Sequence, residues 1–205
     1  MILVLVAHPD DEILGCGGTI AKYAQDGEEV ISIIFSDGDP VHKSKDFTIK
    51  RRKESIAAGK KLGISDTVFL GLPDKPFIPL LKDKHILKRI NNILNKLAPK
   101  VIFTHMPDDP HPMHANISKL VNELTKDRDI EVYTFAITSP LKVKQRDMPR
   151  LYIDISDTFD EKKAALKEFK SQEFWLMYYK NITFMMNKIA GLKSHHKYAE
   201  VFYKW

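Results

Sequence analysis

The chain has 205 residues, 43% of them hydrophobic, with 32 Lys and Arg against 27 Asp and Glu, a formal charge of +5 and a pI of about 9.1. That length and composition suit one globular domain with a real core and exclude a disordered chain. The charge is mild and its lysines alternate with apolar residues, which argues for solvated helix faces and against a nucleic-acid partner.

Cys16 is the one cysteine, so no internal disulfide is expected. No basic leader precedes "MILVLV", and no apolar run reaches the roughly 18 residues a membrane span needs. The expectation is a cytoplasmic protein without stable membrane insertion.

In chain order, "ILVLVA" (2–7) is a continuous apolar run, the mark of a strand covered on both faces. "GTIAKYAQDG" reads as a helix ending at Gly27, and "VISIIFS" (30–36) as a second buried strand. Residues 48–64 form an amphipathic helix, 67–71 a short strand and 85–99 a helix stopped by Pro99. "KVIFTH" (100–105) is a strand, 114–126 a helix, 131–137 and 150–155 strands, and 157–172 a capped helix. Strands alternating with helices predict a single Rossmann-like α/β domain over 1–205, with a mostly parallel sheet and helices on both faces. The segment 173–192, dense in aromatics and methionine, is expected to be a lid, an aglycone or lipid groove, a subunit interface of a homo-oligomer, or the core face of a last helix.

Ligand sites in such sheets lie beyond the carboxyl ends of the strands. Three polar clusters fall there: "AHPDDE" (7–12), "SDGD" (36–39) and "HMPDDPHPMH" (105–114). A helix cap needs one acid and no histidine, so capping does not account for "AHPDDE". Its stacked carboxylates repel one another, and a cation relieves that repulsion. His111 and His114, three apart, share a face at a helix start. His8, Asp11 and His114 make a three-ligand set suited to zinc with an open position for water. Asp10 and His111 are then left beside it, one a general base and the other a donor to a developing oxyanion.

The glycines of "GCGGTI" fail the dinucleotide fingerprint, because position 20 is Ile20 rather than glycine. Their expected role is close packing of the helix start. Nothing activates Cys16 as a nucleophile. Asp37 is the best candidate in the polar loop 36–47 to contact a ligand, with chain turning as the other use.

With these residues in view, the chain resembles the PIG-L/LmbE family of zinc-dependent N-acetylglucosaminyl de-N-acetylases. "AHPDDE" with a later H-x-x-H carries the likeness. "RRKESIAAGKKLGI", "FLGLPD", "KKAALKEFKSQ" and "YAEVF" extend it over most of the chain. The resemblance implies a zinc-dependent hydrolase, with another divalent metal as an option, that releases acetate from an N-acetylglucosamine-type conjugate. It implies His8, Asp11 and His114 as metal ligands, Asp10 as general base for the attacking water, and His111 as the electrophilic helper. It also implies Arg51 near the sugar, with Glu54 orienting it. The alternatives are hydrolysis of another small amide, or an inactive sugar-binding homologue.

One position departs from the family pattern: Met113 stands where the H-x-x-H segment usually has aspartate. A carboxylate there would hold a histidine tautomer. On that reading Met113→Asp keeps or raises turnover, and Asp108 or Asp109 is the candidate substitute.

Overall fold

The computed structural model describes residues 1–37, 45–74, 80–137 and 149–205, except for the side chains of 173–175. The first strand, β1 (Ile2–Val6), is fully buried, as its unbroken apolar run requires. It leads into helix α1 (Asp11–Gln25), then β2 (Val30–Ser36), α2 (Lys45–Lys61) and β3 (Asp66–Leu72). Next come α3 (Lys84–Leu97), β4 (Val101–His105), α4 (Pro112–Thr125) and β5 (Glu131–Phe135). The chain closes with β6 (Arg150–Asp154), α5 (Phe159–Leu166), α6 (Glu173–Lys193) and β7 (Ala199–Lys204).

The seven strands lie in the order β3-β2-β1-β4-β5-β7-β6. β1 to β5 are parallel, and β7 runs antiparallel to both β5 and β6. Strand residues alternate between two cores. Ile2, Val4 and Val6 pack with Ile13, Ile20, Phe159 and Leu166 on the face covered by α1 and α5. Leu3, Leu5 and Ala7 pack with Ile86, Ile90, Ile117 and Leu120 on the face covered by α3 and α4. The expected α/β architecture, mostly parallel with helices on both faces, is the observed one.

Three elements differ from expectation. The capped helix expected over 157–172 is only α5 (Phe159–Leu166), and its N-cap residue Thr158 makes no side-chain cap hydrogen bond. α1 begins at Asp11, well before Gly18, and is broken at Cys16 (φ −143°, ψ 25°). Gly18 sits tight against Ile155, where a Cβ would stand 2.8 Å from that side chain. Strand β7 was not expected, because its second residue, Glu200, is charged yet points inward.

That inward carboxylate has partners. Glu200 accepts hydrogen bonds from the backbone N–H groups of Gly18 (3.1 Å) and Thr19 (2.8 Å), at the restart of α1 after its break. The buried Lys162 of α5 donates to Glu200, to the Leu14 carbonyl at 2.9 Å and to Asn187 Oδ1 at 3.1 Å. One buried ion pair thus ties α1, α5, α6 and β7 together.

The strand order reverses between β2-β1 and β4-β5. The crevice past the carboxyl ends of β1 and β4 is therefore the topological switch point, where this architecture binds ligands.

Candidate active site

β1 delivers "AHPDDE" into that crevice, and β4 delivers His105 followed by residues 106–111. Asp10 occupies the N-cap position of α1 but caps nothing with its side chain. His111 occupies the same position on α4, in extended conformation, and its N–H donates to Asp109 Oδ1 at 2.9 Å.

The centre of the site is Asp11. Its Oδ2 lies 3.3 Å from His8 Nδ1 and 3.3 Å from His114 Nε2. Those two nitrogens are 3.4 Å apart. A cation bonded at about 2.0–2.1 Å to three corners of a tetrahedron sets its ligand atoms about 3.3–3.4 Å apart, so this donor set fits a tetrahedral divalent metal. His8, Asp11 and His114 are brought together as expected; Asp11 and His114 are buried and His8 is largely so.

The electrostatics point the same way. Burial opposes charge on His8, but its bonds to Asp11 and Asp74 carry the imidazole up to about 9. Burial likewise opposes charge on His114, yet Asp11 and Asp109 raise it to about 10. Burial also opposes ionisation of Asp11, but the imidazoles of His114 and His105 hold its carboxyl well below the usual range. The pocket is built to hold positive charge, and a bound divalent cation meets that demand by displacing protons.

Each proposed imidazole ligand is held from behind by a carboxylate. His8 Nε2 faces Asp74 Oδ1 at 3.2 Å, and His114 Nδ1 faces Asp109 Oδ1 at 3.2 Å. Such pairs fix which ring nitrogen points inward. Asp109→Asn is expected to weaken metal affinity by roughly 10- to 100-fold, read by chelator competition.

Asp109 therefore supplies the carboxylate expected near the second histidine pair; it faces the ring of His114 and takes only the backbone N–H of His111. Met113 is fully buried among Leu3, Leu5 and Ile117. The expectation for Met113→Asp is corrected: a carboxylate there would be buried in an aliphatic core. The variant is expected to lower the melting temperature, checked by thermal unfolding, and not to raise turnover.

Asp10 is brought beside this centre. Burial raises its carboxyl to about 7, against the pull of the Arg51 guanidinium, whose Nη2 is 3.6 Å from Asp10 Oδ2. His111 flanks the other two rings, with centroids 5.0 Å from His8 and 4.5 Å from His114. Burial, then the His114 and His8 charges, lower its pKa. His111 also forms a group with His8 and Asp74 in which potential ligand atoms lie within 4.8 Å of one another.

The two residues expected to touch substrate behave differently. Arg51 is only 4% exposed, and donates to the Pro9 carbonyl at 3.0 Å and the Asp37 carbonyl at 3.1 Å. The Asp37 carboxylate is gripped by Arg52 through Nε and Nη2, each at 2.7 Å. Asp37 is tied to the middle of α2 through Arg51 and Arg52, and its carboxylate is engaged by a protein cation. Residues 38–44 of the same loop lie outside the described residues. Glu54 does not orient Arg51; it accepts from the backbone N–H and hydroxyl of Ser171.

His105 and Asp74 were not singled out from the sequence, and Glu12 only as one of the stacked carboxylates of "AHPDDE". His105 is fully buried, stacks on His114 with centroids 3.8 Å apart, and accepts from the Ala7 N–H at 3.0 Å. Burial lowers it to about 4, so it stays neutral. Its position as the last residue of β4, at the ligand-bearing end, is the signal that would have found it.

Residues 3–125 match the PIG-L family model, described as GlcNAc-PI de-N-acetylase. The diacetylchitobiose deacetylase of Thermococcus kodakarensis is 25% identical, over 97% of this chain and 80% of its own. The 4-oxalmesaconate hydratase of Pseudomonas putida is 26% identical, over 88% of this chain and 77% of its own. In fold, the N,N'-diacetylchitobiose deacetylase from Pyrococcus horikoshii matches 100% of this chain and 83% of that one, with a TM-score of 0.81 at 22% identity.

Proposed function

The chain belongs to the PIG-L family of GlcNAc-PI de-N-acetylases, and from that premise we propose that it hydrolyses the N-acetyl amide of an N-acetylglucosamine-type conjugate, releasing acetate and a free amine. The observation that carries this reading is the triangle of His8, Asp11 and His114 donor atoms with Asp10 and His111 beside it. The deacetylase similarity of the Thermococcus relative supports the substrate class.

His8 Nδ1, Asp11 Oδ2 and His114 Nε2 would hold a divalent cation, with zinc the choice that best suits two imidazoles and a carboxylate. Bound there, it would supply Lewis acidity to water and to the amide carbonyl. Asp10 takes the proton from the attacking water; a carboxyl near 7 suits a base working at neutral pH. His111 donates to the amide oxygen as negative charge develops on it. Asp10 then returns its proton to the departing nitrogen. Arg51 acts on Asp10 and the Pro9 carbonyl from behind.

Burial and the neighbouring Tyr178 raise the Tyr179 hydroxyl of α6, and the carboxylates of Asp109, Asp11 and Asp10 add to it. The partner is a small sugar conjugate, met in the cytoplasm. Among the described residues no helix is long and apolar enough to cross a membrane.

The test is acetate release from a panel of N-acetylglucosamine conjugates, non-sugar amides and an unsaturated acid. Release from a sugar amide is expected. Addition of water to the unsaturated acid without acetate release would move the chain to the chemistry named for the Pseudomonas relative.

A further inference from the structure

Asp10 has φ 115° and ψ −29°, a conformation that side-chain-bearing residues rarely adopt. Something must hold it there. The peptide unit on its N-terminal side is gripped at both polar groups. The Pro9 carbonyl accepts from Arg51 Nη2 at 3.0 Å, and the Asp10 N–H donates to Glu12 Oε2 at 3.1 Å. Glu12 is 1% exposed, and its other oxygen, Oε1, accepts from the Ser55 hydroxyl at 3.0 Å.

Arg51 and Ser55 are four apart on α2, so one helix face anchors both ends of the clamp. On the other side, the Asp10 carbonyl accepts from the N–H groups of Ile13 (3.0 Å) and Leu14 (2.9 Å). Both peptide planes that flank Asp10 are therefore fixed, and with them the direction of its Cα–Cβ bond.

We infer that Glu12 is a positioning residue: anchored on Ser55, it locks the Pro9–Asp10 peptide so that Asp10 keeps a strained backbone and an aimed carboxylate. This rests on the reading of Asp10 as general base. Glu12 is neither a ligand in the triangle nor a contact of the reacting atoms, and it acts through the Asp10 amide.

Glu12→Ala removes the clamp. It is expected to lower kcat by about 10²-fold, the usual result of a displaced reacting group, with KM and metal content little changed. Glu12→Gln keeps the geometry, because its amide oxygen accepts from Asp10 N–H and its NH₂ donates to Ser55. It is expected to recover most of the loss. Equal losses in both variants would show that charge, not positioning, is what Glu12 provides, and a rise in KM at constant kcat would make it a substrate contact; either overturns the inference.

Strain is read separately, by thermal unfolding of Asp10→Gly and Asp10→Ala. Glycine tolerates φ 115° and alanine does not, so the glycine variant is expected to melt higher by about 3 °C. That gap closes when Glu12→Ala is added to both. A parent-background alanine variant as stable as the glycine variant would overturn the clamp, even if Glu12→Ala itself fails to fold. The unfolding comparison uses no substrate. A failed clamp leaves the deacetylase reading standing, and a failed deacetylase assay leaves the clamp testable.

Discussion

Asp10→Asn is expected to keep its metal and to lose turnover by about 10²- to 10⁴-fold. The substitution changes one oxygen to an amide nitrogen and leaves the shape of the side chain intact. None of the three donor atoms in the triangle belongs to Asp10, so elemental analysis should find the parent's metal content. What is lost is the ability to take a proton from water and return it to the amine. Burial and the neighbouring His114 and His8 lower the basicity of His111, whereas burial raises Asp10 to about 7, so Asp10 is the stronger base of the two. Steady-state acetate release reads the effect. Parent-like turnover would remove Asp10 from its role, and loss of metal would make it part of the binding set.

Lys162→Met is expected to destabilise the fold by about 3–5 kcal/mol without touching the site. Lys162 and Glu200 are 0% and 1% exposed as side chains, so their attraction is unscreened by solvent and the pair is hydrogen-bonded throughout. Methionine fills the same volume but leaves the Glu200 carboxylate buried with only the Gly18 and Thr19 amides. The restart of α1, the docking of α5 and the antiparallel strand β7 all lose an anchor together. Adding Glu200→Gln removes the stranded charge, so the double variant is expected to be more stable than Lys162→Met alone. Denaturant unfolding measures both. A single variant within about 1 kcal/mol of the parent would mean that this pair does not hold the C-terminal elements.

The parts legible in the sequence were those governed by local pattern. Continuous apolar runs named β1, β2 and β4, and the clusters behind them named His8, Asp10, Asp11, His111 and His114 before any geometry was known. The parts not legible depend on partners far along the chain. Glu200 breaks the apolar pattern of β7 because its counter-charge, Lys162, is 38 residues away. Asp37 looks like a ligand-facing carboxylate until Arg52 is seen to take it, and Glu54 looks like a partner of Arg51 until Ser171 is seen to take it. Asp74 lies 66 residues from His8 by number, and only the parallel order of β3, β2 and β1 makes them neighbours. Met113 occupies a position where polarity was expected, but the first turn of α4 points it into the aliphatic core.

The measurement that bears most directly on the function is acetate release from N-acetylglucosamine conjugates by as-purified, chelator-treated and zinc-restored protein, side by side. Metal-dependent deacetylation predicts release by the first and third and none by the second, with about one ion per chain regained on restoration. Release that continues undiminished after the metal is removed would contradict it.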